Sequence, residues 1–171
     1  MLNEIINNKL KEVNQLRETL DISGINLNSS KKNHFYKRLL KNQNNKKNSI
    51  IAEIKRRSPS KGVLAENLNV SKTVSEYESG GAACISVLTE KDYFNGSNED
   101  LLEAKNSINL PLLRKDFMLD PSQIYESKML GADCVLLIVS ALSQSTYKQL
   151  FELASKLDLD VLTEVHDIYE L

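Results

Sequence analysis

Residues 51–62 read IAEIKRRSPSKG, an apolar run of strand length followed by a cluster of charge and a loop that contains proline and glycine. The same pattern returns at residues 112–117, LLRKDF, and at residues 161–166, VLTEVH. Burying charge costs free energy, and here that cost recurs at the ends of three apolar runs. The pattern predicts that these three strand ends converge on one site.

Five apolar runs of strand length divide the chain from residue 50 onward. They are nearly continuous rather than alternating, which is typical of parallel strands covered on both faces. Helical segments lie between them, so the sequence predicts five successive βα units with right-handed crossovers. This order fits a doubly wound sheet or a (β/α)8 barrel, and no glycine-rich nucleotide motif supports the first. The runs are residues 50–54, 84–88, 110–113, 134–139 and 160–163.

Short polar signals predict where the intervening helices begin and end. Ser97 is a candidate N-cap, and the pair Asp120-Pro121 has the composition of an N-cap and first helical position. Ser143 is a third candidate N-cap. The pair Gly80-Gly81 and Gly131 predict helix C-termini, because glycine adopts the left-handed conformation that often follows a helix.

The first 48 residues have a different organisation. Residues 2–20 carry apolar side chains at a helical, one-sided spacing, and residues 21–33 are polar with a break at Gly24. A short second helix is expected at about His34–Lys41, followed by a solvated linker at residues 42–48. We therefore predict an N-terminal helical extension and linker over residues 1–48 and a partial barrel domain over residues 49–171.

Composition narrows the class of protein. The chain has 171 residues, 41% of them hydrophobic and 26% charged, which is typical of a globular domain. Lys and Arg number 22 and Asp and Glu 23, for a net charge of −1, which gives no support to a nucleic-acid or membrane partner. Cys84 and Cys134 begin apolar runs without metal-ligand spacing, so we expect buried, reduced thiols in a cytoplasmic protein.

The charged strand ends are the candidate chemical groups. In either architecture, the carboxyl ends of the strands face the ligand, and in a barrel alternate strands contribute to one layer. Lys55, Lys115 and Glu164 follow the first, third and fifth runs. Two ammonium groups and a carboxylate suit an anionic substrate and proton transfer. Taken singly, each of the three is also explained as a solvated strand end.

Other residues around these ends have two interpretations. Glu53 lies inside an apolar run, so we expect it to pair with a neighbouring lysine. Ser58 lies in a loop that either holds an anion or faces water. Phe94 and Phe117 follow strands and either stack on a planar substrate or close the top of the core. His166 is given no part in the chemistry.

Four stretches together resemble the indole-3-glycerol-phosphate synthase family. They are IAEIKRRSPSKG at residues 51–62, YESGGAACISVLTEKDYFNGS at 77–97, LPLLRKDFMLDPSQIYESKMLGADCVLLIV at 110–139 and LDVLTEVHDIYEL at 159–171. The resemblance implies a (β/α)8 barrel and a carboxy-lyase of tryptophan biosynthesis. Its substrate is 1-(2-carboxyphenylamino)-1-deoxyribulose 5-phosphate, which loses CO2 and water. The resemblance implies no metal or organic cofactor.

The resemblance also implies roles for individual residues. Lys115 corresponds to the general acid of ring closure, and Glu164 to the acid/base group of the later dehydration. Lys55 corresponds to a lysine that holds the substrate anion and donates a proton in dehydration, and Glu53 to the carboxylate that positions these groups. The implied substrate contacts are Ser58 for the anthranilate carboxylate and Phe94, Phe117 and Leu136 for the apolar walls around the aromatic ring.

Five strands do not close an eight-stranded barrel. We therefore expect an incomplete barrel of about five βα units, corresponding to the N-terminal portion of the enzyme and inactive without strands six to eight. A complementing C-terminal fragment or another tryptophan-pathway enzyme is the expected partner. Two alternatives remain: another phosphate-substrate barrel such as phosphoribosylanthranilate isomerase, and a non-enzymatic remnant that binds a partner through open sheet edges.

Overall fold

Five parallel strands form one sheet in their chain order. The structure is a computed structural model that describes residues 2–25, 35–44 and 48–170. Among these residues, the first and fifth strands each pair on one side only, so the sheet does not close on itself. The strands are β1 (Ile51–Ile54), β2 (Cys84–Leu88), β3 (Leu112–Lys115), β4 (Cys134–Ile138) and β5 (Asp160–Glu164). The predicted parallel arrangement of five strands is confirmed.

The third strand differs most from its predicted position. It was expected at residues 110–113, but it begins at Leu112 and continues through Arg114 to Lys115. Pro111 has no N–H to donate to a ladder, which explains the later start. The charged end is accommodated because the Arg114 guanidinium donates to Glu126 on the neighbouring helix at 2.7 Å. The prediction for β3 was therefore wrong by two residues at each end.

The strand register aligns the carboxyl ends along one rim. Leu88 of β2 lies opposite Lys115 of β3, and Ile138 of β4 lies opposite Glu164 of β5. Glu53 of β1 lies opposite Ser86 of β2, two residues before the end of that strand. This register brings the charged ends of the first, third and fifth strands to the same edge of the sheet.

Six α-helices accompany the strands in the described residues. Ser97, Asp120 and Ser143 each accept a backbone N–H bond at a helix N-terminus, as predicted. Gly81 and Gly131 have positive φ angles of 90° and 79° just beyond two helix ends, also as predicted. The helices are α1 (Leu2–Thr19), α2 (Phe35–Asn44), α3 (Val70–Ser79), α4 (Asn98–Ser107), α5 (Pro121–Met129) and α6 (Gln144–Lys156).

The second helix is longer than predicted. It was expected to end at Lys41 and give way to a linker, but it continues to Asn44. Residues 42–44 contain no helix breaker, and glutamine is an ordinary helix former, so polar composition alone did not end the helix. The predicted start at His34 and most of the predicted polar stretch and linker, residues 26–33 and 45–47, lie outside the described residues.

Two apolar layers cover the two faces of the sheet. The larger layer lies between the sheet and α3, α4, α5 and α6, and includes Ile85, Leu112 and Val135. The smaller layer lies on the opposite face and includes Leu113 and Leu136, with side chains of α2 packed against it. Because neighbouring residues of a strand point to opposite faces, these nearly continuous apolar strands serve both layers.

Both cysteines are buried in the smaller layer. Burial raises the pKa of the Cys84 thiol to about 12. The Cys84 thiol also lies 3.7 Å from the carbonyl oxygen of Phe35, so α2 packs directly on this part of the sheet. The expected buried thiols are confirmed. Within the described ranges, no helix combines the length and apolar character that crossing a membrane requires.

Candidate active site

A cavity of about 570 Å³ opens at the rim formed by the carboxyl ends of the strands. Every residue that the sequence predicted for the site lines this cavity. The structure therefore brings these eight residues together, although their chemical roles remain predictions. They are Glu53, Lys55, Ser58, Phe94, Lys115, Phe117, Leu136 and Glu164.

The charged groups alternate in sign across the cavity. One carboxylate oxygen of Glu53 lies 2.5 Å from the Lys55 Nζ, and the other lies 3.8 Å from the Lys115 Nζ. The Lys115 Nζ also lies 3.8 Å from a carboxylate oxygen of Glu164. The placement of Glu53 inside an apolar strand is explained by these two lysines and by Ser86, whose hydroxyl donates to it at 3.4 Å.

This arrangement suits proton transfer to an anionic substrate. The side chains of Lys55 and Lys115 are each 32% exposed, so their ammonium groups contact both the protein and the space that a substrate would fill. Glu53 contacts both ammonium groups and offsets their positive charge, while each ammonium group stays partly exposed to the cavity. Lys115 lies between two carboxylates, which gives it both a partner that orients it and one that can take part in proton exchange.

Aromatic and aliphatic side chains form the remaining walls. The ring centroids of Phe94 and Phe117 lie 6.4 Å apart with 41° between the ring planes. Leu88, Leu136 and Ile138 line the same cavity. An apolar wall with two rings beside charged groups matches a substrate that has a planar aromatic part and an anionic part.

A tight turn fixes the loop that carries Phe94. The buried carboxylate of Glu90 accepts hydrogen bonds from the backbone N–H groups of Tyr93 and Phe94 at 2.8 and 3.1 Å. Asn95 has a φ of 53°, and a Cβ at Gly96 would overlap the carbonyl oxygen of Leu88. These contacts fix the turn that precedes α4. Glu90 was not singled out from the sequence, and its partners are backbone N–H groups, which the residue types of the loop do not reveal.

Ser58 lies in a short antiparallel hairpin, Arg57–Ser58 with Gly62–Val63. Its side chain is buried, and its Oγ accepts a hydrogen bond from the backbone N–H of Lys61 at 3.2 Å. A serine hydroxyl has one proton and two acceptor positions, so this bond uses one acceptor position. The hydroxyl thus lies at the cavity wall, where it can donate to an anionic oxygen.

The first helix also contributes to the cavity, which the sequence analysis did not predict. Leu2 and Ile5 of α1 line it. One turn further, the Lys9 Nζ lies 3.0 Å from a carboxylate oxygen of Asp116, and both residues are buried. A signal was present: Ile5, Lys9 and Val13 follow at intervals of four, which places the lysine on the apolar face of the helix.

His166 lies at the same rim. Its Nε2 is 3.4 Å from a carboxylate oxygen of Glu164, and the residue lines the cavity. The sequence analysis gave this histidine no part, and the structure places it beside a nominated residue. In the part of the chain that the structure describes, Glu12, Glu90 and Asp92 form the single acidic group compact enough for a metal ion, and none of them lines the cavity.

The fold and the site define a class of protein: an α/β protein of the parallel-barrel type, with a cavity at the carboxyl ends of its strands. A sequence model of the indole-3-glycerol phosphate synthase family matches residues 2–171. The chain belongs to this family. The predicted resemblance and the predicted TIM-barrel fold class are confirmed, and the family is one of carboxy-lyases in tryptophan biosynthesis that act on a phosphorylated small molecule.

Proposed function

We propose that this chain carries the proton-transfer site of an indole-3-glycerol-phosphate synthase. The substrate is 1-(2-carboxyphenylamino)-1-deoxyribulose 5-phosphate, and the products are indole-3-glycerol phosphate, CO2 and water. One observation carries the proposal. Lys115 lies 3.8 Å from both Glu53 and Glu164 at the edge of a cavity walled by two phenylalanines.

Different residues of the cavity bind the aromatic part and the phosphorylated part of this substrate. The aromatic ring lies against Phe94, Phe117 and Leu136, which exclude water from it. The ring carboxylate accepts a hydrogen bond from the Ser58 hydroxyl. The phosphorylated chain extends toward Lys55, whose ammonium attracts its negative charge.

Lys115 acts in ring closure. The ring carbon that bears the carboxylate forms a bond to the ketone carbon, and the electron pair of the C=O bond moves to its oxygen. That oxygen takes a proton from the Lys115 ammonium. The bond to the carboxylate then breaks, CO2 leaves, and its electron pair restores the aromatic ring. Lys115 regains its proton from solvent, which its partial exposure allows.

Glu164 and Lys55 act in the dehydration that follows. The new hydroxyl group leaves as water with a proton from Lys55. The Glu164 carboxylate takes the proton that must leave the five-membered ring, and the resulting double bond completes the indole. Glu53 holds both ammonium groups in place throughout. All bonds and charges balance without an oxidant or a reductant.

Turnover requires the sheet to be closed into a barrel. In the described residues, β1 and β5 each pair on one side only, so a closed barrel needs further strands between them. Barrels of this type bind phosphate with loops that follow their seventh and eighth strands. Polypeptide that supplies strands six to eight therefore completes both the wall and the phosphate site.

The test is the fluorescence of the indole product, measured with the carboxyphenylamino substrate. The chain is assayed alone and with a fragment that carries strands six to eight of a family member. Activity is expected with the fragment. In the complemented protein, Lys115→Ala is expected to lower kcat by about 10²–10⁴-fold, the usual contribution of a general acid, with a much smaller change in KM.

Lys148→Ala is the matched control, because Lys148 is an exposed lysine of α6 that does not line the cavity. It is expected to leave kcat and KM unchanged. Equal losses of kcat and substrate affinity in Lys115→Ala would exclude the general-acid role. A folded chain that forms no product with or without the fragment would instead identify a non-enzymatic remnant.

A further inference from the structure

A buried network joins the first helix to the strand end that carries Lys115. The Lys9 ammonium contacts Asp116 at 3.0 Å and Glu12 at 2.8 Å. The same Asp116 carboxylate accepts bonds from the Thr89 hydroxyl at 2.6 Å and from the backbone N–H of Phe117 at 2.8 Å. Asp116 is the residue immediately after Lys115, so the network ends at the backbone of a nominated catalytic residue.

Lys9 is unusual for its position on α1. It is 3% exposed, although a lysine is almost never fully buried without a partner. The neighbouring Lys11 on the same helix is exposed. Lys9 therefore points inward, against the sheet. There its ammonium group pairs with the buried carboxylate of Asp116, next to the site.

A second ion pair joins the same two parts of the chain. Arg17, near the end of α1, donates from its Nε to Asp120 at 3.1 Å and pairs with it through a second nitrogen. Asp120 is the N-cap of α5. Residues 116–120, which we call the β3–α5 loop, are thus held by α1 at both ends.

The loop is also held from within α5. The Gln123 side chain accepts from the backbone N–H of Leu119 at 2.7 Å and donates to the carbonyl oxygen of Phe117 at 2.9 Å. The loop is thus held by α5 through Gln123 and by α1 through Lys9. Leu2 and Ile5 of the same helix line the active-site cavity.

We propose that α1 is a positioning element of the active site, and that Lys9 is its key positioning residue. Through Asp116, Lys9 fixes the backbone of the β3–α5 loop so that Lys115 and Phe117 face the cavity. Lys9 does not touch the substrate. This inference deepens the proposed function, on which its catalytic consequence rests, but the hold on the loop is measurable without turnover.

Hydrogen–deuterium exchange of the chain tests the hold directly. Lys9→Met is expected to speed exchange of the Phe117 and Leu119 amides by about tenfold or more, because a local opening becomes easier. Exchange in β4, which contributes none of the network's side chains named above, is expected to stay within about twofold. Lys11→Met changes the same residue type on the exposed face of α1 and is expected to match wild type throughout.

A double variant separates the hold on the loop from the cost of leaving the buried Asp116 carboxylate without Lys9. In Lys9→Met with Asp116→Asn, both charges are removed, and the asparagine oxygen still accepts from Phe117. The double variant is expected to fold even where Lys9→Met does not, and to retain the faster exchange of Leu119. Wild-type exchange at Phe117 and Leu119 in whichever of the two variants folds would overturn the proposal.

Kinetics give the second readout in the protein complemented with strands six to eight. Lys9→Met or the double variant is expected to lower kcat at least tenfold with a smaller change in KM, whereas Lys11→Met leaves both unchanged. If wild type turns over and these variants keep its kcat, the proposal is also overturned. If wild type forms no product, the proposed function fails and the exchange result alone decides whether Lys9 holds the loop.

Discussion

At the residue scale, the buried charges beside the site are paired with groups of opposite charge. Asp116 is buried, and burial raises the pKa of its carboxyl, but Lys9, Arg114 and the Thr89 hydroxyl outweigh this and lower the pKa below its ordinary value. Burial lowers the pKa of Lys9, and Asp116 together with Glu12 outweighs it and raises the pKa. Both groups therefore stay charged across the neutral range.

These shifts predict how stability depends on pH. Asp116 stabilises the fold above its unfolded pKa of 3.8, and this contribution is lost as the pH falls through its lower folded pKa. Lys9 stabilises the fold below 10.5, and this contribution is lost as the pH rises through its higher folded pKa. The pair thus contributes most at intermediate pH.

Lys9→Met is therefore expected to lower the free energy of unfolding by about 3 kcal/mol at pH 7, because it leaves a buried carboxylate with one cation fewer. The difference from wild type should shrink as the pH falls below about 4 or rises above about 10.5. Urea unfolding followed by circular dichroism measures this. Lys11→Met should differ from wild type by less than about 0.5 kcal/mol. A loss in Lys9→Met that is constant with pH would contradict the assignment.

Residue-level signals explain how much of the site the sequence revealed. A carboxylate inside an apolar strand, as at Glu53, and lysines at strand ends stand out because burying them is costly. Lys9 lies on the apolar face of α1 with Ile5 and Val13, which signals that it is buried but not what it contacts. Its partner follows a strand more than a hundred positions along the chain, and no local pattern records such a contact.

At the element scale, helix ends were predictable because their causes are local. Asp120 accepts from the backbone N–H of Ser122 at 2.9 Å, and Gln123 closes the capping box. The position of β3 was less predictable, since the carboxylate that accommodates Arg114 lies on α5. The last three residues of α2 were missed because their polar composition indicated a linker, although none of them is a strong helix breaker.

The cap of α5 is expected to have a local and a longer-range effect. Asp120→Ala removes the acceptor for Ser122 and should lower the free energy of unfolding by about 1 kcal/mol. Asp120→Asn keeps an acceptor but loses the charge that faces Arg17, so it should recover most of that loss. Denaturant midpoints at constant slope measure both.

Ser143→Ala is the matched control for this prediction, because Ser143 caps α6 and accepts from Thr146 at 3.1 Å. It should also cost about 1 kcal/mol. Of the two, Asp120→Ala alone should speed amide exchange in the β3–α5 loop. Equal exchange in both variants would show that the cap has no influence on the loop.

At the scale of the whole molecule, the arrangement of the sheet is the feature that the sequence predicted most accurately. Five parallel strands in chain order follow from apolar runs separated by helices, and the rim that gathers Lys55, Lys115 and Glu164 follows from parallel register. The packing of α1 across that rim does not follow, because it depends on the shape of a surface that exists only after the sheet has formed.

The unpaired edges of the sheet predict self-association. Ile51 begins β1 and is 36% exposed, and the backbone of this strand is paired on one side among the described residues. Exposed strand edges with apolar side chains pair with other chains. The chain alone is expected to form larger species as its concentration rises in sedimentation velocity, and the fragment that carries strands six to eight should suppress them.

Ile51→Lys places a charge at this edge and should reduce self-association of the chain alone, since lysine on an edge strand opposes pairing. Met129→Lys is the control, because Met129 is also exposed, at 52%, but ends α5 away from the edge. If both variants reduce self-association equally, net charge rather than the edge governs it. Suppose that only Ile51→Lys reduces association and that the fragment abolishes it in wild type. The edge of β1 then drives association, and strands six to eight cover that edge.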